Sequence, residues 1–174
     1  LDLPYLVDAC QSVGQMPIDV NEIQCDFLSV TFRKFLRGPR GAGFLFVSDR
    51  ALDKKWEPLF VDMRGADWKS ADSDQLQASA RRFEEWEAPY ALLLGGKAAI
   101  EYALNLGLDN IARANKAIAE KARSAIASLG LELLDRGPEL CNIITVKIPG
   151  KNAKETVSFL RSRNVNTSAS AKAN

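Results

Sequence analysis

Lys34 is the residue around which chemistry can be organised. It follows a short apolar run (Phe27, Leu28, Val30) and the string Thr31, Phe32, Arg33. It precedes a turn rich in Gly and Arg (Gly38, Pro39, Arg40, Gly41) and then a second apolar run over residues 43–47. The first run is short and β-forming and the middle carries turn residues, so the lysine is expected at a strand end beside a tight turn. An amine in that place becomes nucleophilic when partial burial and neighbouring cations (Arg33, Arg37, Arg40) disfavour its protonated form. The same cations attract a polyanionic ligand. Upstream, Asp8 and Gln11 stand three residues apart after another strand-like run, residues 3–7. In open α/β sheets ligand-binding groups collect at the carboxyl ends of strands. Read singly, each has a plainer alternative: a solvated basic loop or weak phosphate patch, a turn-capping carboxylate, a helix-start glutamine, a strand-end hydroxyl at Thr31.

The elements that must position these groups can be read along the chain. Residues 3–7 read as a buried strand, followed by a turn at 11–14 and a brief helical piece ending near Ile23. Residues 27–30 and 43–47 read as strands, and 49–56 as a short helix or turn. Residues 61–80 are polar and read as a long surface loop. From Pro89 the pattern becomes helical: residues 90–106 with Gly107 as the stop, then a second helix capped by Asp109. Its stripe Ile111, Ala114, Ile118, Ala122, Ala125, Leu129 is expected to face inward. Residues 131–134 and 143–148 read as strands. Asn152 with Glu155 reads as a capping box opening a helix with Val157 and Leu160 inward, and 165–168 as a last strand.

Composition bounds the function classes. The chain has 174 residues, 47% hydrophobic and 26% charged, with Lys+Arg 23 against Asp+Glu 22 and a net charge of +1. That balance suits a globular domain or a domain and a half and gives no global signal for nucleic acid or membrane. No apolar run approaches membrane-spanning length and no signal peptide is visible, which points to the cytoplasm. The 3 cysteines (Cys10, Cys25, Cys141) form no CxxC pair and read as small buried residues. There is no histidine, which removes His-based triads and most zinc sites, so no metal is expected. The start at Leu1 without methionine, and the strand-like character of both ends, lead us to expect a piece of a longer polypeptide.

Taken together, the residues resemble the class V aminotransferase family of pyridoxal-phosphate enzymes, which includes cysteine desulfurases, selenocysteine lyases, kynureninases and related carbon–sulfur lyases. The family's Asp-x-x-Gln at a strand end reads here VDACQSVG (residues 7–14). Its strand leading to Ser or Thr, a small residue, a polar residue and the Schiff-base lysine reads DFLSVTFRK (26–34). Its Gly-rich turn and following strand read GPRGAGFLFV (38–47), and ARRFEEWEAPYALLLGGKAAIEYALNLGLDNI (80–111) is similar to the segment that enters the bridging helix. The likeness runs over essentially the whole chain.

The resemblance implies an α/β fold. Residues 1–109 would be part of a fold-type I large domain with a mixed, mostly parallel sheet, and 110–174 part of a small α+β C-terminal domain. It implies pyridoxal 5'-phosphate as cofactor, an amino-acid substrate and a homodimer when full length, with no nucleic-acid or membrane partner. Lys34 would hold the cofactor as an aldimine and shuttle the substrate's Cα proton. Asp8 would pair with the pyridine nitrogen, Gln11 with the phenolate oxygen, and Thr31 and Arg33 with the phosphate. The wording of residues 33–41, with Trp86, looks most like the lyase branch that cleaves carbon–sulfur bonds of modified cysteines, including ergothioneine-type sulfoxide lyases. A class V aminotransferase proper, and a non-catalytic subunit of the same fold, are the alternatives. The 174-residue piece alone is expected to be inactive. Three departures stand out. Phe32 occupies a place the family keeps small, which predicts a tighter path beside the cofactor. Glu87 stands where many relatives have a phosphate-binding Thr, a role an ionised carboxylate cannot take. The stacking aromatic and the carboxylate-binding arginine have no counterpart that can be assigned, and Cys141 reads as core rather than as a catalytic thiol.

Overall fold

The structure is a computed structural model that describes residues 3–170. It divides into two compact units, Leu1–Ala112 and Arg113–Asn174. The first unit is built on a mixed three-stranded sheet in the order β1 (Leu6–Asp8), β2 (Phe27–Thr31), β3 (Gly43–Val47). β1 runs parallel to β2, with Asp8 opposite Ser29, and β2 runs antiparallel to β3, with Thr31 opposite Gly43. A parallel pair needs a crossover, and residues 9–26 supply it, including the single-turn helix α1 (Val20–Ile23). Asp19 caps α1 through its side chain, and Gln24 ends it in the left-handed conformation. The parallel pairing does not outnumber the antiparallel one among the described residues, so the expected mostly parallel sheet is here simply mixed.

Leu28 and Val30 of β2 are buried and pack with Ala9, Cys25, Phe32, Leu36 and Ala103 in the core of this unit. Two glycines permit the close approaches. A Cβ on Gly43 would lie 1.9 Å from the Val30 carbonyl oxygen, and one on Gly96 would lie 2.3 Å from the Phe32 ring. Gly96 sits on α3 (Tyr90–Leu106), which ends as expected at Gly107, whose N–H donates to the Ala103 and Leu104 carbonyls.

Asp26 ties the strand starts together. Its side chain is fully buried and accepts hydrogen bonds from Tyr5 N–H (2.8 Å), from the Arg50 guanidinium and from Ser48 Oγ (3.5 Å). Ser48 in turn caps α2 (Asp49–Asp53) through Ala51 N–H at 3.2 Å. One carboxylate thus fixes the entry to β1, the exit from β3 and the start of α2.

Several expectations are corrected. The strand read at 3–7 begins only at Leu6, and Leu3, Tyr5 and Leu6 are exposed rather than buried, because β1 is an edge strand among the described residues. The stretch 61–80 contains a hairpin, β4 (Ala66–Ser70) with β5 (Ser73–Leu76), bulged between Trp68 and Ser70. Most of its residues are exposed on both faces, so it carries no apolar alternation to announce a strand. Its base is held by Arg82, which is buried in the 3₁₀ turn Ala80–Phe83 and donates to the carbonyls of Gln77 (3.0 Å), Trp56 (3.3 Å) and Ala78 (3.3 Å).

The helix α4 (Leu108–Ser128) starts one residue before Asp109, which lies in its first turn, where its charge suits the helix N-terminus, rather than at the cap. In the second unit its buried side is Ala119 and Arg123, whereas Ile118 of the expected stripe is 69% exposed. The ion pair of Arg123 with Asp135 (2.9 Å) sets that face, aided by Arg123 bonds to the carbonyls of Cys141 (2.7 Å) and Ile143 (3.2 Å). Cys141 is half-buried rather than core. The two-residue strands β6 (Glu132–Leu133) and β7 (Val146–Lys147) pair antiparallel. Asn152 caps α5 (Ala153–Arg161) as read, and residues 165–168 form no strand. No described helix is long and apolar enough to cross a membrane.

Asp26→Ala removes the acceptor of a buried N–H and the partner of a guanidinium that is itself half-exposed and can rehydrate. The expected destabilisation is therefore at the low end for a broken buried pair, about 3 kcal/mol, with Asp26→Asn costing less. Urea denaturation measures it, and an unchanged midpoint for Asp26→Ala would remove Asp26 from this role.

Candidate functional site

Asp8 is the last residue of β1 and Thr31 the last of β2, so the parallel pairing delivers both to one end of the sheet. Asp8 is exposed, and its Oδ1 accepts the Cys10 N–H at 3.0 Å. Its carboxyl is held below the ordinary value of 3.8, first by the Cys10 thiol and next by the Cys10 N–H, against the opposing effect of burial, with the charge of Lys34 adding a lesser lowering. Gln11 lies on the turn that follows, exposed, and its carbonyl accepts a hydrogen bond from the buried Gln15 amide.

The two turns are locked to each other by Gly14. It adopts φ +90, and a Cβ there would fall 2.6 Å from both Leu36 N and Phe35 C. The turn carrying Asp8 and Gln11 therefore rests on the backbone just past Lys34. The lysine loop is closed on itself: Phe32 N–H donates to Ala42 O (3.1 Å), Gly38 N–H to Phe32 O (2.8 Å) and Arg37 N–H to Lys34 O (2.9 Å). Lys34 and Thr31 are half-buried and Arg33 is exposed. The structure thus brings Asp8, Thr31 and Lys34 to one end of the sheet, with Gln11 and Arg33 on the turns beside them.

Two expectations change. Arg37 turns away from this end: in a left-handed conformation (φ 60), it stacks its guanidinium 5.0 Å above the Tyr102 ring on α3. Phe32 does not narrow the site. Its ring is buried beneath the turn, against Gly96 and Gly38 and 6.1 Å from the Phe44 ring. Strand alternation sends its side chain to the core face.

The run 84–89 is clamped from residues 62–64. Asp62 accepts the N–H groups of Trp86 (2.9 Å) and Met63 (2.6 Å), which hold its carboxyl below the usual range. Arg64 donates to Trp86 O (3.3 Å) and Tyr90 Oη (2.7 Å) and lies 5.7 Å from the Trp86 ring centroid. Glu87 remains exposed. The sequence reads Cys10 only as a small buried residue, whereas it is half-buried beside Asp8, and Gly14 only as part of a turn. The spacing Gln11 to Gly14 hints at a positive-φ glycine, but nothing in a lone cysteine announces a hydrogen-bonding role.

Comparison with known proteins adds the following. Residues 2–172 match the family model described as aminotransferase class-V. The chain is 31% identical over 163 residues to a cysteine desulfurase of Escherichia coli O127:H6, covering 89% of this chain and 38% of that protein. Among solved structures, the apo cysteine desulfurase from Thermococcus onnurineus NA1 superposes with a TM-score of 0.85 at 23% identity, over 94% of this chain and 41% of that one. A C-DES mutant with glycine covalently linked to its PLP cofactor gives a TM-score of 0.81 at 19% identity, over 92% and 43%. The chain spans about two-fifths of the length of the curated relatives it matches.

Gly14→Ala would force a side chain against backbone atoms that cannot rotate aside, in a conformation that L side chains rarely adopt. The expected cost is about 2–3 kcal/mol of stability, read as a lower urea midpoint. A midpoint equal to wild type would mean the two turns are not in register as described.

Proposed function

This chain belongs to the aminotransferase class-V family, and on that footing we propose that it carries the cofactor-binding lysine of a pyridoxal-phosphate-dependent enzyme that breaks a carbon–sulfur bond in cysteine or a modified cysteine. The observation that carries the reading is the convergence of Asp8, Thr31 and Lys34 at one sheet end, held by the β1–β2 register and the Gly14 contact. The similarity to cysteine desulfurases supports the sulfur chemistry.

The donor set fits the group. A phosphorylated pyridine aldehyde asks for an amine, an anionic partner for its ring nitrogen, and a cation with hydroxyl donors for its phosphate. Lys34, Asp8 and the pair Arg33 and Thr31 match these in turn, and Gln11 offers an amide for the ring oxygen. Bound there, the cofactor supplies an electron sink for the carbanion that forms at the substrate's Cα. Lys34 Nζ would hold the cofactor and would be the group that moves the proton at the substrate's Cα. Asp8 is anionic throughout the neutral range, its depressed pKa extends that range downward, and its carboxylate would favour a proton on a ring nitrogen facing it. A depressed carboxylate pKa means that this role is lost only as pH falls through the lowered value, below the ordinary 3.8.

In the same reading, residues 1–109 are part of the fold-type I large domain with its bridging helix and 110–174 part of the small C-terminal domain of a whole protein that is a homodimer. The exposed Leu59 (89%), Phe60 (86%) and Trp68 (88%) are apolar surface that a partner subunit would cover.

The test uses the full-length protein loaded with pyridoxal phosphate and assayed for sulfur release from cysteine and cysteine sulfoxides. Lys34→Ala and Asp8→Asn should each lower kcat by about 10²-fold or more, the scale of a lost proton-transfer group. Turnover retained in Lys34→Ala, or transamination without sulfur release in wild type, would overturn the assignment.

A further inference from the structure

Cys10 sits inside the Asp8 turn and takes no part in the roles above. The last ladder bond between β1 and β2 runs from Ala9 N–H to Ser29 O at 2.9 Å. Beyond it the chain turns away, since Ala9 O accepts Ser12 N–H (3.1 Å) and Val13 N–H (3.0 Å). β2 nevertheless continues to Thr31. Phe32 N–H points toward the β3 side, where it meets Ala42 O, so by strand alternation Thr31 N–H points toward the β1 side, where no further strand residue follows. The Cys10 sulfur fills that gap. It donates to Ser29 O at 3.7 Å, while the Cys10 N–H donates to the Asp8 carboxylate at 3.0 Å, so this one residue is bonded both to the last residue of β1 and to β2.

We propose that Cys10 is a positioning residue: its side chain splices the end of β1 to the end of β2 and so holds the Asp8 carboxylate at a fixed spacing from Thr31 and the Lys34 loop. The inference rests on the reading of Asp8 and Thr31 as cofactor-binding groups and adds what sets their separation. Two charges act on the thiol, Asp8 from its own turn and Lys34 from the neighbouring loop. The hydrogen bond to Asp8, with burial, outweighs Lys34 and the Thr31 N–H and pushes the thiol above its ordinary pKa of 9.0. Cys10 is therefore held as the protonated thiol in the neutral range, which disfavours it as a nucleophile.

The experiment compares wild type, Cys10→Ala, Cys10→Ser and Asp8→Asn in the full-length protein. Pyridoxal phosphate is titrated into cofactor-free protein, and the labelling of Cys10 by iodoacetamide is followed at pH 8 by peptide mass spectrometry. Cys10→Ala removes the sulfur bond to Ser29 O and the thiol beside the Asp8 carboxylate, and should weaken cofactor binding about 10-fold, while Cys10→Ser restores most of it. Asp8→Asn should speed Cys10 labelling several-fold, because only the thiolate is alkylated. Cys10→Ala binding the cofactor as tightly as wild type, or Cys10 labelling indifferent to Asp8→Asn, overturns the proposal. The labelling arm needs neither cofactor nor variant at Cys10, so it decides even where Cys10→Ala folds poorly. Failure of the functional reading looks different: wild type itself then shows no saturable binding that Lys34→Ala abolishes.

Discussion

Gly14 approaches the peptide joining Phe35 to Leu36 so closely that no side chain fits between them. Everything at the candidate site depends on that contact. A parallel strand pair alone sets where two strands end, but not how the turns beyond them sit. Here the turn after β1 is seated on the backbone after β2, which removes the freedom of both. The lysine loop is then pinned from below by Phe32, whose ring fills the space that Gly96 leaves on α3. A loop that is closed by its own backbone bonds and supported on two sides can present an amine at a defined position, which is the geometric requirement for covalent catalysis.

The unit divides its carboxylates between two tasks by environment. Asp26 is fully buried, bonded to Tyr5, Ser48 and Arg50, and serves only to hold elements together. Asp8 is exposed at a strand end, its charge maintained by two donors of one cysteine and by Lys34. The buried guanidiniums follow a similar logic. Arg82 is spent on backbone carbonyls at the base of the β4–β5 hairpin, and Arg123 on Asp135 and on carbonyls of the loop before β7, so neither is free to meet a ligand.

Much of this was legible before any coordinates. The β2–turn–β3 segment, the bounds of α3 and the Asn152 cap all rest on strong local signals, namely apolar runs, Gly and Pro turns, and cap spacing. The parts that escaped are those decided by tertiary contact. The β4–β5 hairpin is exposed on both faces and so lacks an apolar period. The buried side of α4 carries Ala119 and Arg123, the latter paired with Asp135 from outside the helix, a placement that the apolar stripe does not announce. At the site, the residue types and their order were readable, but the seat of Phe32, the diversion of Arg37 to Tyr102 and the role of Cys10 needed the fold. Strand parity could have placed Phe32 on the core face, opposite in sense to Thr31.

The reading of the site stands or falls on whether Lys34 is the residue that bonds the cofactor. Borohydride reduction of the full-length protein loaded with pyridoxal phosphate, followed by proteolysis and peptide mapping, addresses it directly. The account predicts a single stable pyridoxyl label on the peptide containing Lys34. A label on Lys97 or any other lysine, with Lys34 unmodified, would contradict it.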